Sequence, residues 1–146
     1  MVAEVTLDSS VLVSALVEHE EHRDVARGIM KRVFDGDFRV ATSAIVPVEV
    51  CGAIARVAGP AAAKRAVTQL QKWKDAGLFD YVYLTQERSE ESAGLAIDLR
   101  VTGMDAIVIQ AAKEHRSVLV TFDREMAKKA EKIIRIAEPG KIALGN

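Results

Sequence analysis

The chain holds one cysteine, no surplus of either charge and no long apolar run, and each shortage closes off a class of function. Cys51 alone cannot form an internal disulfide, and without a CxxC pair or a Cys/His cluster there is no zinc site of the usual ligand spacing. The thiol reads as a small apolar core group. Lys and Arg number 20 against 21 Asp and Glu, a formal net charge of −1, so the overall balance announces no polyanion partner. A nucleic-acid binder of this composition has to concentrate positive charge locally or meet phosphates through metal ions. No stretch approaches the roughly 20 apolar residues that span a membrane, and no charged leader with an apolar run and cleavage site opens the chain. The expectation is a soluble, cytoplasmic protein. Also absent are a phosphate-cradling glycine loop, a GxSxG elbow and a Cys/His nucleophile arrangement.

What is present fits one domain over residues 1–146, with 49% hydrophobic and 28% charged residues, enough for a single core. Strands are expected at residues 2–7, 38–41, 81–84, 118–121 and 133–137. Helices are expected at 11–16, 20–33, 44–57, from Pro60 to near Gly77, 87–101 and 105–115, with a short one opened by Asp123. Pro47 is tolerable only in a first helical turn, and Gly59-Pro60 separates two helices that form a hairpin. Strands alternate with helices, and the strands are continuous apolar runs. That pattern predicts an α/β fold, a three-layer α/β/α domain around a mainly parallel sheet.

Charges are common here, so their absence around single acids is informative. Asp8 is the only charged residue between Val5 and Val17, Glu49 between Val40 and Ala55, and Asp105 between Val101 and Ala112. Asp123 ends the apolar 118–122 run. Asp8, Asp105 and Asp123 each stand where a helix begins, so each has an ordinary role as an N-cap. Glu49 lies within its helix among apolar neighbours and without a basic partner. A buried carboxylate in that position must protonate, find a distant partner or bind a cation. Ligands of an open parallel sheet gather at the carboxyl ends of its strands, where Asp8 and Asp123 fall and where helix starts carry Glu49 and Asp105. Two carboxylates about 5 Å apart repel by roughly 3 kcal/mol at an effective dielectric near 20. Converging acids therefore call for a cation, and an all-oxygen set favours Mg2+ or Mn2+ over zinc.

Four segments carry a resemblance: Leu7-Asp8-Ser9-Ser10-Val11-Leu12, Ser43-X-X-X-Pro47-Val48-Glu49-Val50, Asp105-Ala106 with Ala111-Ala112, and the run Leu119-Val120-Thr121-Phe122-Asp123-Arg124-Glu125-Met126. In order and spacing they resemble a PIN-domain ribonuclease, the toxin component of a VapBC-type toxin–antitoxin system. The resemblance implies an Mg2+-dependent endoribonuclease with Asp8, Glu49, Asp105 and Asp123 as metal-binding acids. It places the hydroxyl of Thr121, and of Ser9 or Ser10, near the metal or its waters. Members often carry Asn where Ser10 stands and an aromatic residue where Met126 stands. The mechanism implied is metal-assisted hydrolysis of an RNA phosphodiester leaving a 5′ phosphate. The partners implied are RNA and a small antitoxin that blocks the acidic crevice.

Candidate RNA contacts are Arg124 and Lys128, on one helix face beside the acids, then Arg56 beyond the apolar helix, and Ser10. The apolar hairpin around Gly59-Pro60 is expected to serve a homodimer or antitoxin interface. His19 and His22 do not match HExxH spacing and are weak metal ligands. A phosphoacceptor domain would also place an Asp after its first strand, but Asp8-Ser9-Ser10 lacks both an early acidic pair and Asp-X-Asp. A non-catalytic RNA- or protein-binding module on the same fold would usually have lost an acid, and all four are present.

Overall fold

Residues 3–144 are described by a computed structural model; Val2, part of the first expected strand, lies outside them. Short apolar segments form the strands β1 (Ala3–Leu7), β2 (Phe38–Ser43), β3 (Phe79–Val82), β4 (Val118–Val120) and β5 (Ile136–Ala137). All pairings are parallel, in the order β3-β2-β1-β4-β5. Parallel neighbours need crossovers, and helices supply them. They are α1 (Ser9–Leu16), α2 (Arg23–Phe34), α3 (Val46–Ala58), α4 (Pro60–Asp75), α5 (Gln86–Leu99), α6 (Gly103–His115), α7 (Arg124–Ala130) and α8 (Pro139–Ala143).

The sheet is the middle of three layers. α1 and α2 pack on one face, while α6 crosses β1, β2 and β4 on the other and is itself covered by α5. This explains why α6 is apolar nearly all round, with Ala106, Val108, Ile109, Ala111 and Ala112 buried. Leu7, Leu12, Ile29, Ile54, Ile109 and Leu119 lie fully inside the core. Thr6 is also buried, its hydroxyl donating to the Ala41 carbonyl at 2.6 Å, so the polar group brings its own partner inside.

Several boundaries differ from expectation for physical reasons. β3 begins at Phe79, two residues early, because Phe79 stacks against Trp73 of α4 (ring centroids 5.8 Å apart), whereas Tyr83 and Leu84 are exposed. β5 shrinks to two residues, since residues 131–133 form a turn after α7. α2 starts at Arg23, with turns over the preceding charged residues. α8 was not foreseen: Ile142 is buried there, and its carbonyl accepts from Arg32 at 2.9 Å. Asp105 does not cap α6. Thr102 does, accepting the Asp105 N–H at 3.2 Å, so Asp105 stands in the first turn of the helix.

Gly59 joins α3 to α4 with φ 89° and ψ 165°, a region essentially closed to other residues. Nothing lies within 4 Å of the place a Cβ would take, so any cost of substitution is backbone strain alone. Gly59→Ala is expected to lower stability by about 1–3 kcal/mol in urea titration; an unchanged midpoint contradicts this.

Candidate metal centre

The strand order turns at β1, whose neighbours continue to β2 on one side and β4 on the other. Such a switch point opens a crevice at the carboxyl ends of the strands. The β1–β4 register pairs Leu7 with Val120, and one residue further on it brings Asp8 alongside Thr121. Asp8 leaves the strand as the N-cap of α1, and Asp123 does the same for α7, accepting the Met126 N–H at 3.0 Å.

Two hydroxyls fix the Asp8 carboxylate. Ser10 Oγ donates to Oδ1 at 2.5 Å and Thr121 Oγ1 donates to Oδ2 at 2.5 Å. Each hydroxyl in turn accepts a backbone N–H: Phe122 to Ser10 Oγ at 3.1 Å, and Asp123 to Thr121 Oγ1 at 3.0 Å. Those N–H groups occupy the acceptor side of each hydroxyl and leave its proton for Asp8. The Ser10 N–H also donates to Oδ1 at 3.1 Å. Three of the roughly four lone-pair sites of a carboxylate are thereby used, and one on Oδ2 is left. Ser10 is thus committed to Asp8 and the Phe122 backbone.

The other acids share one field. Burial raises the Asp8 pKa, the bonds from Ser10, Thr121 and the Val11 backbone pull it back, and Asp105 pushes it up. Glu49, in the first turn of α3, is raised by burial, then by Asp105 and Asp8. Asp105 is raised by burial, then by Asp123, against a hydrogen bond from Thr102 and the charge of Lys129. Asp8 is buried, Glu49 and Asp105 are half-buried, and Asp123 is exposed; the expected depth holds for Asp8 alone.

Among the described residues, no three His, Cys, Asp or Glu side chains converge tightly enough to ligate one ion directly. A hard cation such as Mg2+ is usually bound through one or two carboxylates with water completing its shell. The donor set is all oxygen; Asp105 raises the proton affinity of Asp8 and Glu49, and Asp123 that of Asp105, so the residues fit such an ion chemically.

Arg124, Lys128 and Arg56 are exposed. An Arg56 Nη1 lies 3.5 Å from where a Gly52 Cβ would stand, so this side chain folds back along the face that carries Glu49 by helical spacing. Lys129, in the last turn of α7, gives no hint in sequence that its charge acts on Asp105. Sequence reasoning also missed the contact of His22 with Phe122, ring centroids 4.2 Å apart, which joins residues a hundred positions apart.

A PIN-domain family model matches residues 5–132, a span that holds all four acids and both hydroxyls. The chain belongs to the PIN-domain family. Solved structures agree on the fold. The structure of PAE2754 from Pyrobaculum aerophilum is 21% identical with a TM-score of 0.65, over 99% of this chain and 97% of that one. Mycobacterium tuberculosis VapC20, described as a sarcin-ricin loop cleaving toxin, is 16% identical with a TM-score of 0.69, over 85% and 93%. VapBC2 from Rickettsia felis, bound to a DNA fragment from their promoter, is 13% identical with a TM-score of 0.64, over 92% and 98%. No curated protein sequence matches the chain. The chain shares its fold with these toxin structures, and among its described residues no helix is long and apolar enough to cross a membrane.

The raised carboxylates have a consequence for stability. In the metal-free protein the folded state holds these protons more tightly than the unfolded chain. Stability therefore falls as pH rises from the ordinary carboxylate pKa through the raised one, and the deficit persists above it. Asp105→Asn removes one of the charges. In EDTA at neutral pH the variant is expected to melt above wild type, with the gap closing as the pH drops below the ordinary carboxylate range. A variant that melts lower at neutral pH contradicts mutual repulsion.

Proposed function

We propose that this PIN domain is a divalent-cation-dependent endoribonuclease, the toxin of a toxin–antitoxin pair. The observation that supports it best is the anchored Asp8 carboxylate within the shared field of Glu49 and Asp105, at the sheet's switch point. Fold alone would not license a nuclease. An Mg2+ or Mn2+ ion at these acids supplies an activated water and charge neutralisation for a phosphoryl group. The chain's own contribution is positional. Ser10 and Thr121 hold both Asp8 oxygens, so that carboxylate does not reorient when a cation arrives. Glu49 and Asp105, whose charged forms are disfavoured by burial and by neighbouring acids, would gain from the charge of a cation held there. Asp123, held on the Met126 N–H, completes the acidic set, and Arg124, Lys128 and Arg56 are the cations around it that can meet RNA phosphates.

The VapBC neighbours support a small antitoxin as partner, one that would cover these acids. The α3–α4 hairpin leaves Val48, Val57 and Val67 exposed beside an apolar groove of about 460 Å3 lined by Pro47, Cys51 and Tyr83. We assign this face to a homodimer, and a cytoplasmic site of action follows from an RNA target.

RNA incubated with the purified chain and Mg2+ or Mn2+ is expected to be cut, with cutting lost in EDTA and in Asp105→Asn. Thr121→Val, which keeps shape but removes the proton held on Asp8, is expected to lose activity or metal affinity by about 10–100-fold, while Thr121→Ser stays near wild type. Cutting that survives both EDTA and Asp105→Asn sinks the reading. Light scattering on the same preparation reports the dimer, and a monomer at high concentration contradicts that part alone.

A further inference from the structure

Beside the acids lies a stacked pair of rings. His22 and Phe122 stack 4.2 Å apart with their planes 10° from parallel. Phe122 stands between Thr121 and Asp123, and its N–H is fixed on Ser10 Oγ. One face of His22 is thus occupied, yet its side chain remains 45% exposed. Both rings sit at the wall of a groove of about 990 Å3 that Thr121 and Arg124 also line. Arg124 is exposed and makes no ion pair among the described residues.

We propose that the outer face of His22 is a stacking platform for one unpaired nucleobase next to the phosphate held at the acids, with Arg124 meeting a neighbouring phosphate. The inference rests on the nuclease reading and adds to it a subsite for one base, formed by His22 on Phe122. Proteins that read RNA do so mostly on unpaired bases splayed onto flat side chains. Such stacking tolerates any sequence, because every base has a π-face. Phe122 already holds the His22 ring, so little ordering is lost when a base arrives. The groove is lined by Glu4, Glu21, Glu131 and Glu138 against Arg124 and Lys141, a net negative wall that disfavours a long run of phosphates.

The test is binding of a uridine octamer and of an abasic ribose-phosphate octamer of equal charge, with Ca2+ replacing Mg2+ and oligomer integrity checked on a gel. Wild type is expected to prefer the uridine octamer by about tenfold or more. His22→Ala should lose most of that preference and His22→Phe should keep it, with abasic binding little changed in either. Equal weakening of both oligomers in His22→Ala would mark a merely structural role and overturn the platform. So would a wild type that does not distinguish the two, or His22→Phe behaving like His22→Ala. RNA cleavage by wild type in Mg2+ separates the two readings. Cleavage without base-dependent loss in His22→Ala removes the platform alone, while neither cleavage nor octamer binding removes both.

Discussion

A carboxylate only 7% exposed at the end of a central strand is costly unless its charge is met, and the site is arranged around meeting that of Asp8. Its two oxygens take protons from Ser10 and Thr121, and those hydroxyls are aimed by the N–H groups of Phe122 and Asp123. The bonds therefore tie three things together: the end of β1, the start of α1 and the link from β4 to α7. Moving any one of them breaks the network. The β1–β4 register that aligns Asp8 with Thr121 is set in turn by the apolar core below, where Leu7 and Val120 are fully buried.

The hydroxyls do not cancel the charge. Burial and Asp105 still raise the Asp8 proton affinity, and Glu49 and Asp105 are raised in the same field. Lys129 offsets Asp105 only in part, being shared with Glu125 at 3.1 Å and the Arg100 carbonyl at 2.9 Å. Like charges at a sheet's switch point destabilise the protein standing alone and favour whatever cation enters. Strain of this kind at a site, offset by a well-packed core elsewhere, is the usual exchange between stability and function.

Much of this was legible in the sequence because local and global signals coincided. Asp8 and Asp123 end apolar strands and begin helices, so a cap, a strand end and a site position all fell on one residue. Glu49 stood out through the absence of other charges around it. Asp105 falls in the first turn of its helix as its position suggests, while the alternative of a cap goes to the hydroxyl three residues earlier; the Thr102-x-x-Asp105 spacing is itself a cap signal. What could not be read was contact across distance: Thr121 on Asp8, the Phe122 N–H on Ser10, and His22 on Phe122. A two-residue β5 and a five-residue α8 are too short for periodicity to register. Phe79 needed its partner Trp73 to fix where β3 begins.

Calorimetry of Mn2+ binding as a function of pH tests the central claim most directly, because metal binding to raised carboxylates must displace their protons. The account predicts that affinity falls as the pH drops into the carboxylate range. It also predicts net proton release there, little release near neutral pH, and loss of the binding heat when Asp8, Glu49 and Asp105 are replaced together by Asn, Gln and Asn. Absent binding, or binding that is indifferent to pH and survives the triple replacement, would contradict it.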